Sequence, residues 1–418
     1  MIDQNIHSHV YDNGLTLLVE SMSYVQSAAF TFLVPAGSIY DPPGRCGTAT
    51  VLSELIVRGA GDRDTKQLSA ALDSLGVQRH ESPSSAHLGL TGATLSDNLP
   101  ATLRIYGDII LRPHLPNDQF ETARAGVAQS LQALEDEPRQ KIFLELRRRC
   151  YDAPWGLPTE GTLECLQVMT ADEVRGHYEH CFRPDKSILG VAGNVDFDQI
   201  KELVGEVFGG WQRLPEPGFE ADPRGKQHDH IHHDSAQTHI GIAYEAVPYR
   251  HPDYYAAWAA VSVLSGGMSS RLFTEVRERR GLCYAISASL SSLKDEGRVL
   301  GYAGTTTERA QETLDVTLHE LVRLGEADGD LSNDELERCK ARAKSSLIMQ
   351  QESTISRSSS ITRDWYHLGR VTTLEEVRNR VEALTVEAVL SYVREYPARD
   401  FTVLTIGPQP LEVASEFS

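Results

Sequence analysis

The chain repeats itself, and the repeat limits its fold more than any other feature. The string LPNDQFE at Leu115–Glu121 returns as LSNDELE at Leu331–Glu337. The match continues at the same offset, pairing Ala123, Arg124 and Ala125 with Cys339, Lys340 and Ala341, and Ser130 and Leu131 with Ser346 and Leu347. MTADEV at Met169–Val174 then parallels LTVEAV at Leu384–Val389, one residue out of step. A short apolar run ending in glycine follows each, Ile188–Gly193 and Phe401–Gly407. Landmarks in one order at nearly one offset imply tandem duplication of a single structural unit.

The patterns inside each half agree with that reading. Strand-like alternation comes first, over 15–20 and 28–34 in one half and 238–244 in the other. Helical stretches over 46–58 and 254–265 follow. A later pair of long helical stretches comes next, with Thr170 and Thr385 placed as N-caps ahead of Asp172, Glu173 and Glu387. A strand at 187–192 or 401–406 closes each half. Strands segregated from runs of helices predict an α+β fold: two tandem homologous domains, each a mostly antiparallel sheet covered by helices on one face. The expected division is a domain over 1–213, a linker over 214–234 rich in Pro, Gly and charge, and a domain over 235–418.

Charge and composition exclude several function classes. Asp and Glu number 59 against 40 Lys and Arg, a net charge of −19, and no basic cluster offsets it, so no nucleic-acid partner is expected. An acidic surface favours basic peptides instead. No apolar run is long enough to span a bilayer, so no membrane role is expected. The N-terminus has the order of neither a signal nor a transit peptide, and the six cysteines form no CxxC pair; both point to reduced thiols and a cytoplasmic location.

The string GTATVLSELIVRG at 47–59 resembles the zinc helix of the pitrilysin and mitochondrial-processing-peptidase family, an inverzincin motif read G-x-A-H-x-x-E-H and followed by a basic residue and Gly. Gly47 and Ala49 before, and Arg58 and Gly59 after, set the register. The resemblance places the first zinc histidine at Thr50, the catalytic glutamate at Ser53 and the second histidine at Glu54. The motif works because residues four apart share one helix face, so two imidazoles grip one zinc while the intervening Glu activates its water. The family's third ligand lies in a V-x-E-E-I context, matched here by VAQSL at Val127–Leu131, with Gln129 and Ser130 where the two glutamates would stand. A hydroxyl and an amide are poor zinc ligands, one carboxylate does not make a site, and Ser53 cannot act as the base.

Other candidates are thinner. His228, His230, His232 and His233 crowd the linker, where alternation places three on one face. His177 and His180 share a helix face. No G-x-S-x-G nucleophile elbow occurs.

The second half keeps more. LSGGMSSRLFTEVRERRGLCYAI at Leu264–Ile286 resembles the family's C-terminal signature, in which an Arg and a Tyr seven residues apart hold the substrate carbonyl at the metal site. Arg277 and Tyr284 occupy those positions. Read as residue types alone, Arg277 complements a helix dipole and Tyr284 fills a strand start. The resemblance implies the non-catalytic, substrate-binding subunit of a heterodimeric zinc endopeptidase, with no cofactor in this chain, zinc in a homologous partner subunit, and peptides or unfolded segments as substrates. The rival expectations are a structural or assembly protein and a homodimeric peptide-binding protein without proteolysis.

Overall fold

The computed structural model describes residues 4–219, 221–326 and 331–417. Its chain forms two compact units that alternate along the sequence. Met1–Ala133, Leu157–Ala221 and Ile348–Thr373 make one; Leu134–Gly156, Asp222–Leu347 and Leu374–Ser418 make the other.

The first unit is built on six strands, β1 (Asn5–Val10), β2 (Thr16–Ser21), β3 (Ser27–Val34), β4 (Gln78–Pro83), β5 (Leu88–Leu95) and β6 (Ile188–Gly193), in the order β1-β2-β6-β3-β5-β4. β2 and β6 run parallel and the other neighbours antiparallel. The second unit has five, β7 (His228–His232), β8 (Gln237–Ala246), β9 (Cys283–Ser292), β10 (Gly297–Thr306) and β11 (Thr402–Gly407), in the order β7-β11-β8-β10-β9. Here β7 and β11 are the parallel pair. Without β1, the two sheets have the same order and the same parallel pair, so the repeat in sequence is a repeat of fold. β7 lies inside the stretch read as linker. Its alternating side chains are histidines and one Asp–Ile pair, so it lacks the apolar face by which a strand is recognised.

Alternate residues of β8, β10 and β11 feed two cores. Ile240, Ile242, Val299, Ala303 and Val403 pack under the helices Tyr254–Ser265, Ala310–Arg323 and Val386–Glu395. Ala243, Leu300, Leu404 and Ile406 pack on the opposite face against Ile142 and Leu146 of the helix Pro138–Cys150. That helix comes from the first half of the chain. In the first unit the corresponding face receives the helix Thr354–Leu368, from the second half, through Ile361 against Leu18 and Ile188. Each sheet therefore has helices of its own half on one face and one helix from the other half on the other. Close approach is built in by glycine: a Cβ on Gly190 would lie 2.8 Å from Ser358 O, and one on Gly241 2.8 Å from Ile142 Cγ1.

Both expected N-caps form. Thr170 and Glu173 make a reciprocal capping box, and the Thr385 hydroxyl accepts from Ala388 N–H at 3.1 Å.

Candidate functional site

The helix Thr48–Leu55 carries the positions at which the sequence resemblance places zinc ligands. Its first turn is capped from outside the helix. Gly47 N–H donates to Asp41 Oδ2 at 2.7 Å and Ala49 N–H to Asp41 Oδ1 at 2.9 Å. Burial pushes the Asp41 carboxyl up to about 7, against the backbone N–H groups of Ala49, Gly47 and Thr48, which favour its charged form. Because the folded pKa lies above the unfolded one, the stabilisation is complete below about pH 4 and is lost as pH rises through 7. The stability advantage of the wild type over the non-titrating Asp41→Asn variant should therefore shrink from pH 5 to pH 7, by up to ~1.4 kcal/mol per pH unit. Urea midpoints of the two proteins across that range check it; an advantage that grows with pH would contradict it.

Along the helix two of the three side chains at the positions the resemblance assigns, Thr50 and Ser53, serve internal bonds. The Thr50 hydroxyl donates to Thr159 O at 2.6 Å, and the buried Ser53 hydroxyl donates to Thr50 O at 2.7 Å. Glu54 is exposed. On the helix Asn117–Glu135, Gln129 and Ser130 are both exposed, and the Ser130 hydroxyl donates to Gly126 O at 3.2 Å. Neutral hydroxyls turned to backbone carbonyls and an exposed amide do not fit a zinc ion, which takes thiolate, imidazole or carboxylate donors in a tetrahedron. Among the described residues no group of three or more His, Cys, Asp or Glu is placed to hold a metal.

The histidine-rich segments are tied up singly. His228 Nε2 meets Phe401 O at 3.1 Å, and His230 Nδ1 meets Thr405 Oγ1 at 2.8 Å. His232 lies 3.4 Å from Asp234, and His233 donates its backbone N–H to Gly407 O. His177 is buried against Ala36 O, while His180 is exposed and bonds Gly176 O within its own helix.

The Arg and Tyr of the second half sit on an anchored turn. Arg277 lies in the π-helical segment Phe273–Arg279, and Tyr284 is the second residue of β9. Between them Gly281 takes φ +61°, and Leu282 N–H closes onto Val276 O at 2.9 Å. The hydroxyls of Thr305 and Thr313 both donate to Leu282 O. Upstream, Arg271 forms a two-pronged pair with Glu335, at 2.8 and 3.1 Å. Burial works to raise the Glu335 carboxyl, but Arg271 and Ser332 overcome it and hold it at about 2. On this support the two side chains face outward. Tyr284 is 65% exposed, and Arg277 is exposed with its guanidinium 4.7 Å from the Phe273 ring centroid. Among the described residues neither Arg277 nor the Tyr284 hydroxyl has an ion pair or hydrogen bond.

Two family models match this chain. Residues 16–163 match Insulinase (Peptidase family M16), and residues 169–343 match the Peptidase M16 inactive domain. The chain belongs to peptidase family M16. Similar proteins span it almost completely. The uncharacterized zinc protease YmxG of Bacillus subtilis is 26% identical over 410 residues, covering 96% of this chain and 98% of its own. An uncharacterized zinc protease of Rickettsia bellii is 25% identical, covering 98% and 99%. Two crystal structures share the fold of this M16 chain. One is a peptidase M16 inactive domain from Pseudomonas fluorescens, at TM-score 0.89, 18% identity and coverage of 98% and 99%. The other is a protease from Helicobacter pylori, at TM-score 0.87, 20% identity and coverage of 97% and 100%. Within this M16 chain, sequence reasoning passed over Asp41, whose capping role depends on a loop geometry that no spacing announces. Among the described residues no helix is long and apolar enough to cross a membrane.

Proposed function

We propose that this M16 chain is the non-catalytic, substrate-binding subunit of a two-chain zinc endopeptidase acting on peptides or unfolded segments. One observation carries the reading: Arg277 and Tyr284 are exposed on a braced turn and, among the described residues, have no hydrogen bond or ion pair, while Thr50 and Ser53 are committed to bonds inside their own unit. An Arg kept merely to complement a helix end would serve equally well among its neighbours Arg279 and Arg280, and a strand-filling Tyr would be buried. A guanidinium and a phenol left free suit a substrate carbonyl and the negative charge that develops on its oxygen. The homologous partner subunit supplies the zinc and the general base. The names of the similar bacterial proteins, zinc proteases, agree with peptide chemistry. The net charge of −19 favours basic peptides, and the proposed compartment is the cytoplasm.

The test is cleavage of a quenched basic peptide by the chain alone, by a homologue carrying H-x-x-E-H alone, and by the two co-expressed, each with and without chelator. The expected result is silence alone and chelator-sensitive cleavage together, at least tenfold above the homologue by itself. Chelator-sensitive cleavage by the chain alone would overturn the reading. A stable complex without cleavage would replace it with a scaffold or peptide-binding role.

A further inference from the structure

Four of the six cysteines, Cys150, Cys181, Cys283 and Cys339, are buried, whereas Cys46 and Cys165 are partly exposed. These two are 119 positions apart in sequence, yet their Sγ atoms lie 2.6 Å from each other, close to the ~2.0 Å of a disulfide bond. The backbones around them are pressed together independently of the sulfurs. Gly47 and Gly161 both take positive φ, +93° and +82°. A Cβ on Gly161 would fall 2.4 Å from Cys46 O, and one on Gly47 2.8 Å from Glu160 O. Thr162 caps the helix Leu163–Val168 by accepting from Cys165 N–H at 3.3 Å, and the same hydroxyl lies 3.9 Å from Cys46 Sγ. The two thiols are therefore held together by glycine-only packing and a helix cap, and joining them needs little movement of either backbone.

We propose that Cys46 and Cys165 form a redox-active dithiol that closes to a disulfide by exchange with a low-molecular-weight disulfide such as oxidised glutathione. Cys165 as thiolate attacks one sulfur of the external disulfide, forming a mixed disulfide and releasing one glutathione thiolate. Cys46 then gives up its proton and attacks Cys165 Sγ, releasing the second glutathione. Two protein S–H groups are oxidised, one external S–S bond is reduced, and the two protons end on the two departing thiols. Burial, and then the adjacent Cys165, raise the Cys46 thiol above its ordinary value, which suits Cys46 to the second, resolving step. The bond ties the loop that enters the helix Thr48–Leu55 to the helix Leu163–Val168. This inference does not depend on the proposed peptidase role, since it concerns the first unit alone and is read without any activity.

The full chain is equilibrated with oxidised glutathione, quenched with an alkylating agent, and measured by intact mass and peptide mapping. The expected product has lost the mass of two hydrogen atoms and yields one cross-linked peptide joining Cys46 to Cys165, with the other four thiols alkylated only after denaturation. Cys46→Ser should instead stop with one glutathione retained on Cys165. The proposal is overturned if both thiols remain alkylatable at equilibrium, if each carries its own glutathione, or if the cross-link uses one of the four buried cysteines. The wild-type peptide map decides the matter even where a Ser variant fails to fold.

Discussion

Replacing Arg357 by methionine will destabilise the first unit by about 3–5 kcal/mol, because it strips a buried carboxylate of its counter-charge. Arg357 and Glu20 are 1% and 2% exposed, and Arg357 Nε donates to Glu20 Oε2 at 2.8 Å. Gln4 Nε2 donates to the other oxygen at 2.7 Å, so Glu20 keeps one neutral donor and loses the charged one. Arg357 belongs to the helix Thr354–Leu368, the element that this unit receives from the second half of the chain. The other polar ties of that helix are weaker: Thr31 Oγ1 lies 3.0 Å from the hydroxyls of both Ser358 and Ser359, each worth about 1 kcal/mol when removed. The ion pair is thus a buried, charged anchor of the exchanged helix. The double variant Glu20→Met, Arg357→Met removes both charges and should recover most of the loss, since an apolar pair of similar volume is often neutral or better. Urea unfolding followed by a probe in the first unit reads both. A single-variant loss under about 1 kcal/mol would show that the helix is held by apolar packing alone.

That helix also shows where the sequence stopped being legible. The duplication was readable because two seven-residue strings keep four identical positions and are followed by further matches at one offset, and a repeated sequence must repeat its fold. Thr170 and Thr385 were readable as caps because an N-cap hydroxyl acts within three residues of its own position. The exchange of Pro138–Cys150 and Thr354–Leu368 was not, because helical periodicity says that a face is buried and not which sheet buries it. β7 was missed for a different reason. It is an edge strand whose alternation is histidine, and periodicity is only informative where one face is apolar. The proximity of Cys46 and Cys165 is a purely tertiary fact, like the capping of the zinc-like helix by Asp41. At the candidate site, the resemblance assigns the two histidine positions, Thr50 and Glu54, within one string, because metal ligation on a helix demands spacing of four. What the Thr50 hydroxyl does instead, bonding Thr159 O, depends on a loop that the string does not contain, whereas the Ser53 hydroxyl turns back to Thr50 O one helical turn away.

In the two-chain enzyme proposed above, Arg277→Ala should lower kcat by about 10²- to 10³-fold, the range seen when one preorganised donor to a developing oxyanion is removed. Tyr284→Phe, which deletes only a hydroxyl, should lower it by roughly tenfold to a hundredfold on the same grounds. Exposure makes this a clean experiment. Arg277 has no internal partner beyond the Phe273 ring, a contact worth about 0.5–1 kcal/mol at an exposed site, and the Tyr284 hydroxyl has none among the described residues. Neither variant should move the urea midpoint appreciably or weaken the complex measured by size-exclusion chromatography. A loss of activity cannot then be ascribed to unfolding. Arg277→Lys separates two roles: a point charge on a flexible stem keeps the field but loses the planar fork, so it should restore only part of kcat. The distribution between kcat and KM is decisive. Groups that meet the reacting carbonyl as its charge develops depress kcat with KM little changed, whereas groups that only hold the peptide raise KM. If all three variants keep kcat within twofold while KM rises, Arg277 and Tyr284 are part of a peptide-binding surface. If neither constant moves, the pair has no part in catalysis, and the outward-facing Arg and Tyr are left as a structural inheritance of the M16 fold.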